Sequence, residues 1–276
     1  MQKSKRILTA KDTLDILEKG FYINQQYEKI DIQSAQQSAE ENTILYKDES
    51  TEDLVKQALN GASNYDTTFT VNGSATIAAV IDLMNDNHED IFYLNFASAR
   101  NPGGGVLTGA QAQEESIARV TGLYNCLLKK FEYYETNRKQ RSCFYTDYMI
   151  YSPAVPLLKN DKGELLDNLQ TAAILTAPAV NTGVVKRNES ERVNEIETVM
   201  RRRIDKVLAI ALLHRHPTLV LGAWGCGVFQ NNPDDVARYF KDALTTTFKG
   251  KFKHVVFAIY SRNERFITPF LKEFSK

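Results

Sequence analysis

The chain has 276 residues, enough for one large domain or two small ones, and enough to bury a core without disulfide or metal staples. Lys plus Arg number 34 and Asp plus Glu number 34, so the formal charge is zero. That balance excludes a protein that grips duplex nucleic acid mainly by neutralising phosphates, while leaving room for a local pocket for a small anion. With 43% hydrophobic and 25% charged residues, disorder of the whole chain is excluded as well.

Cys126, Cys143 and Cys226 form no CxxC pair and read as reduced thiols. Met1 to Ala10 is polar and basic rather than an apolar export signal, and no run reaches the roughly 20 apolar residues that span a bilayer. The expectation is a cytoplasmic protein without membrane contact.

Residues 1 to about 65 are polar, rich in Gln and Glu, and poor in β character, with helices expected over Lys11–Lys19 and Ser34–Asn42. From Thr67 onward, short β-branched or aromatic runs alternate with helical patterns. Strands are expected at Thr68–Val71, Ile91–Phe96, Tyr148–Ser152, Ala172–Thr176, Thr218–Leu221 and His254–Tyr260. Helices are expected at Ser74–Asn87, with Asn72 or Ser74 as cap, and then at Glu114–Asn137 and Glu189–His214. Pro233 suits the first turn of a helix over Asp234–Phe248, and a last helix over Glu264–Phe274 carries a kink risk at Pro269. Asn160 to Gly163 reads as a turn. The alternation predicts one α/β domain, residues 67–276, preceded by a helical N-terminal extension, residues 1–66, packed on that core.

Two glycine-rich loops leave the ends of predicted strands, where open α/β sheets build ligand crevices. The first runs from Asn95 through Asn101-Pro102-Gly103-Gly104-Gly105 to Gln113-Glu114-Glu115. Its glycines let backbone approach a bulky ligand, and the two acids open a helix, where the helix dipole favours negative charge in any case. A carboxyl group partly removed from water there could serve as a general acid. The second loop is Gly222-Ala-Trp224-Gly225-Cys226-Gly227-Val228-Phe229-Gln230. No GK[ST] follows, so it is not a P-loop, but its N–H groups suit a diphosphate. Cys226 lacks a neighbouring base and reads as a packed residue rather than a nucleophile. His214-Arg-His216 has no metal-ligand company, so no metal is expected.

GGG followed by seven residues and QEE, together with the late GAWGCGVF loop, resembles the bacterial-type poly(ADP-ribose) glycohydrolases. The resemblance extends over Asn95–Glu115, Tyr145–Pro156, Thr176–Asn181 and Leu219–Asn231, in that family's order. It implies a metal-free, cofactor-free macrodomain enzyme, an α/β fold with a mixed sheet flanked by helices, acting on poly(ADP-ribose) or ADP-ribosylated proteins; a monomer is expected. Under it, Glu115 is the general acid/base at the anomeric carbon and Glu114 positions the ribose. Gln113 supports the pair, and Gly103, Gly104 and Gly105 approach the ribose and diphosphate. Gly225, Cys226, Gly227 and Val228 supply backbone donors to the diphosphate, with Phe229 against the distal ribose. Gln230 and Asn181-Thr182-Gly183 depart from the family's usual residues at the pocket rim.

Three other readings compete: a macrodomain that only binds ADP-ribose, a hydrolase of single ADP-ribose units on protein, and a nicotinamide-dependent dehydrogenase. An intact acid pair argues against a mere binder, and the lack of an early GxGxxG argues against the dehydrogenase.

Overall fold

A computed structural model describes residues 1–61 and 63–275. The chain begins with helix α1 (Lys3–Lys19), the short hairpin β1 (Phe21–Ile23) and β2 (Lys29–Asp31), α2 (Gln33–Glu41), β3 (Ile44–Tyr46) and α3 (Thr51–Leu59). It continues through β4 (Thr68–Asn72), α4 (Thr76–Asn85) and β5 (Ile91–Phe96) to three short helices, α5 (Gln113–Ala118), α6 (Leu123–Leu128) and α7 (Glu132–Lys139). Next come the long hairpin β6 (Met149–Lys159) and β7 (Leu165–Ala177), α8 (Thr182–Asn188) and α9 (Ile196–Leu213). The chain ends with β8 (Thr218–Leu221), α10 (Pro233–Thr245), β9 (His254–Ala258) and α11 (Thr268–Phe274).

Seven strands form one mixed sheet in the order β3-β6-β7-β5-β8-β9-β4. β7, β5, β8, β9 and β4 run parallel, while β6 is antiparallel to both of its neighbours. Strand β5 is apolar in every position but one because both of its faces are covered, as parallel strands require. Phe92 and Leu94 point into one core with residues of α3, α9, α10 and α11; Ile91 and Tyr93 point into another with α4, α5, α6 and α7. The carboxyl ends of β5 and β8, neighbours in the sheet, therefore open side by side into the two glycine-rich loops.

The expected alternation is present; the strands expected at Tyr148–Ser152 and Ala172–Thr176 belong to the longer hairpin β6–β7, the helix expected from Glu189 begins at Ile196, and four further differences have a clear physical origin. First, residues 1–66 are not purely helical: β3 adds a strand to the main sheet, pairing Ile44 with Tyr151, and three residues are too few to show an alternating pattern. Second, the helix expected over Glu114–Asn137 is broken into three. Gly122 N–H donates to Pro156 O, and Val120 O accepts from Leu158 and Lys159, so the chain leaves the helix there to bond β6. Third, Pro269 begins α11 rather than kinking a longer helix. Fourth, the Asn72 side chain caps nothing: its Oδ1 accepts from Ser74 N–H in a turn, and α4 starts without a side-chain cap.

The His214-Arg-His216 segment is tied into this frame. His214 stacks on Tyr151 at 3.7 Å between ring centroids, and its Nε2 lies 2.8 Å from Tyr46 OH. His216 bonds Tyr151 OH at 2.8 Å and Asp90 O at 2.9 Å. Burial, with the neighbouring His216 adding to it, pushes the His214 imidazole down to about 4. An unfolded chain titrates near 6.5, so below that pH it binds a proton that the folded protein refuses until about 4. Stability is therefore lost as pH falls through this window. Thermal melts should show a drop in Tm from pH 7 to pH 5 that is smaller in His214→Phe, which keeps the stacking and removes the titration. An equal drop in both proteins would refute the assignment.

Candidate active site

A cleft of about 710 Å³ opens at the carboxyl ends of β5 and β8. Its walls include Ala75 to Ile77 at the start of α4, Phe96 to Asn101, Gly104 and Gly105, and Gln111 to Ile117. The late loop contributes Ala223 to Gly225 and Gly227 to Phe229, and Ala258 to Ser261 close the side beyond β9. Tyr145 and Asp161 also face it.

Glu114 and Glu115 are both buried, 3% and 8% exposed, and both line the cleft. Adjacent helical residues diverge by about 100°, yet these carboxylates converge on one residue, Gly104. A Cβ at that position would collide with Oε1 of Glu115 and lie 3.1 Å from Oε2 of Glu114, and the backbone has φ +58°. Glycine satisfies both demands at once. Glu115 is held through both oxygens, Oε1 accepting from Gly105 N–H at 2.9 Å and Oε2 from Ala112 N–H at 2.8 Å. The second bond is the Glu half of a capping box, so one side chain both starts helix α5 and presents a carboxylate to the cleft.

Glu114 accepts from Ser98 N–H at 2.6 Å and, at 3.5 Å, from Asn95 Nδ2, which also donates to Thr176 Oγ1. Removal from water pushes Glu114 well above the usual carboxylate range, and the Glu115 charge adds to this although the Ser98 bond opposes it. Behind it, the hydroxyls of Tyr133 and Tyr134 are buried without partners. Glu114 beside Glu115, both lining the cleft, is an arrangement suited to sugar hydroxyls.

Gln113 lines the cleft, but its amide is fully occupied. Oε1 accepts from Phe96 N–H at 2.8 Å, and Nε2 donates to Leu94 O at 2.7 Å and Thr76 Oγ1 at 3.1 Å. It pins α5 to β5 and α4, and each of its polar atoms already has a partner within the protein. Gly103 is buried and not among the residues lining the cleft, and a Cβ there would press on Tyr124 and Ala118.

In the late loop the N–H groups of Gly225, Gly227, Val228 and Phe229 donate to no other described residue. Cys226 differs from expectation. Its N–H donates to Ala223 O at 3.1 Å and its Sγ to Trp224 O at 3.7 Å, so neither is free for an anion. Burial pushes the thiol above its ordinary value, which disarms it as a nucleophile. The loop is anchored by Asn231, whose Nδ2 donates to Val180 O at 2.8 Å and Gly225 O at 3.1 Å. Phe229 packs beside Tyr145 with ring centroids 6.1 Å apart.

Sequence reading missed Tyr145, Ser98 and Asp161. Tyr145 has φ +60°, and its carbonyl accepts from the buried Arg203 at 3.2 Å; no local pattern announces either. Ser98 contributes its backbone, which is silent in sequence. Asp161 sits in the predicted turn, with Oδ2 buried and unpartnered at the cleft wall. Among the described residues, no group of three or more His, Cys, Asp or Glu could hold a metal ion.

Residues 10–160 match the family model "Microbial-type PARG, catalytic domain". Among solved structures, the poly(ADP-ribose) glycohydrolase (PARG) of Thermomonospora curvata superimposes with a TM-score of 0.93 and 39% identity, over 98% of this chain and 100% of that one. The same enzyme bound to the inhibitor ADP-HPD gives 0.90 and 38%, over the same shares of the two chains. The Deinococcus radiodurans enzyme in complex with ADP-ribose gives 0.83 and 39%, over 87% of this chain and 97% of that one. No curated protein matches. With more than half its length inside the family model and a near-complete superposition on a 39% identical glycohydrolase, the chain belongs to the microbial-type poly(ADP-ribose) glycohydrolases.

Proposed function

We propose that the chain is a macrodomain-type enzyme that hydrolyses the ribose–ribose O-glycosidic bonds of poly(ADP-ribose), releasing ADP-ribose, with Glu115 as general acid/base. The observation that carries this reading is the meeting of Glu114 and Glu115 at Gly104, in a cleft whose late loop offers four free N–H groups.

The diphosphate lies along the N–H groups of Gly225, Gly227, Val228 and Phe229, where backbone dipoles meet negative charge without a counter-ion. The adenine takes an apolar part of the cleft, whose lining includes Ala75, Ile77, Ile259 and Phe266. The ribose with the scissile bond lies over Gly104, and its hydroxyls pair with Glu114. Glu115, protonated, gives its proton to the departing oxygen as the bond from the anomeric carbon breaks. The resulting carboxylate takes a proton from the water that attacks the oxocarbenium-like centre, which regenerates the acid. The site needs no metal and no cofactor for either step. No described helix is long and apolar enough to cross a membrane. Our reading is of a cytoplasmic monomer, and the balanced charge supports the lack of duplex nucleic acid as partner.

Replacing Glu115 by Gln keeps the shape and removes the transferable proton. Turnover of poly(ADP-ribose) should fall by roughly 10²–10⁴, the scale of general acid–base catalysis, while ADP-ribose still binds by calorimetry. Wild-type turnover in this variant would remove Glu115 from the mechanism.

Gly227 offers a clean test of the diphosphate cradle. A Cβ there meets nothing within 4 Å, so Gly227→Val should leave Tm unchanged while its side chain enters the cleft. ADP-ribose binding should weaken at least about tenfold, equivalent to ~1.4 kcal/mol, and AMP binding less. Unchanged ADP-ribose affinity would mean that the late loop is only a connection.

A further inference from the structure

We propose that the N-terminal helix α1 is part of the catalytic apparatus, with Arg6 as a positioning residue for Glu115; this rests on the glycohydrolase reading above. Glu115 is only as well placed as its two donors, Gly105 N–H and Ala112 N–H, which stand at the two ends of one loop. Within the loop a single 3₁₀ turn, Val106–Thr108, gives some stiffness, with Ala110 N–H and Thr108 Oγ1 both returning to Gly105 O. Such a turn is weak on its own.

The outer side of the loop rests on α1. Arg6 Nε donates to Gly109 O at 2.8 Å, and the next carbonyl, Ala110 O, accepts from the buried Arg119 at 2.8 Å. The helix and the loop touch closely at Gly109, which has φ +74°. A Cβ there would stand 2.9 Å from Ile7 Cγ1 and 3.0 Å from Lys3 O. Ala10 packs with Val106 and Ala118 beneath the loop. Helix α1 is itself fixed from below. Thr13 Oγ1 donates to Arg119 O at 2.6 Å, and the fully buried Lys159 reaches Thr13 Oγ1 at 2.7 Å, Asp12 at 2.8 Å and Thr9 O at 3.2 Å.

Two guanidinium groups on successive carbonyls are an expensive way to cover a surface. Arg119 is held below its ordinary value by burial and, after that, by the charge of Arg6, and its Nε has no partner. For mere packing, an apolar contact would serve better. What the two arginines do is fix the carbonyls of Gly109 and Ala110, between the two residues whose N–H groups hold the acid.

Position matters because a displacement of about 1 Å at a reacting group can cost on the order of 10²-fold in rate. Arg6→Ala should lower kcat for poly(ADP-ribose) by roughly 10- to 100-fold. The Kd for ADP-ribose should stay within about twofold, since the late loop is untouched, and Arg6→Lys should restore most of the rate. Gly109→Ala should lower kcat in the same way, and the double variant should fall no further than the worse single one, because both break one contact. A wild-type kcat in Arg6→Ala would overturn the proposal, as would a loss of rate, affinity and Tm together that Lys does not rescue. Hydrogen exchange separates this from failure of the glycohydrolase reading itself. If the wild type leaves the polymer intact, that reading falls. Faster exchange of residues 105–112 in Arg6→Ala, with the sheet unchanged, would still support the brace, and unchanged exchange would remove it.

Discussion

The absence of a side chain at residue 104 is the condition on which the site depends. Two buried carboxylates can share one small volume only if the backbone opposite them brings no atoms of its own, and a Cβ there would occupy the place of a Glu115 oxygen. Once that space is open, the local hydrogen bonds follow. Gly105 turns its N–H onto one oxygen of Glu115, Ala112 turns its N–H onto the other, and Ser98 takes Glu114. Each carboxylate is met by backbone donors, which neither titrate nor swing away as side chains do. This is electrostatic preorganisation: the groups that hold the charge are fixed before substrate arrives.

The sheet supplies the larger frame for this local arrangement. β5 and β8 pair in parallel, with Ile91 opposite Thr218 and Tyr93 opposite Val220, so both strands deliver their loops at one edge. Gln113 converts that placement into rigidity by bonding Phe96 N–H and Leu94 O at the end of β5 and Thr76 at the start of α4. The acids that follow it are therefore referenced to the sheet on one side and to α1 on the other. Trp224 does comparable work for the late loop: it is fully buried, with Nε1 donating to Ala177 O at the end of β7.

The sequence made this frame readable where burial is two-sided and local. Ile91–Phe96 and Thr218–Leu221 are continuous apolar runs because they lie between two helical layers, and both boundaries agree with the structure. The first glycine-rich loop was legible as a ligand loop from the chemistry of glycine, whereas the roles of Glu114 and Glu115 came from the resemblance to the glycohydrolases, since two acids opening a helix equally suit its dipole. What escaped detection is what depends on distant partners. Strand β3 exists only because β6 offers an edge, and the break at Gly122 exists because Pro156 and Leu158 draw backbone bonds away from the helix. Cys226 was expected to donate to a ligand with its neighbours, but a bond back to Ala223 turns its N–H away, a matter of turn geometry that residue type does not encode.

The two walls of the cleft are built to different standards, and the reaction gives the reason. The wall that carries Glu114 and Glu115 is buried and braced from three directions, by the sheet, α4 and α1. The facing wall ends in Gly227 and Val228, exposed to solvent, the valine at 78%, with N–H groups that no described residue occupies. An acid that must place one proton on one oxygen gains from immobility, because a small displacement weakens transition-state interactions more than ground-state binding. In the proposed function the late loop is a diphosphate cradle that fills and empties in each cycle, so its donors stand open to water between turnovers. On that reading binding strength and chemical precision fall to separate segments of the chain, so substitutions in one should change affinity while those in the other change rate.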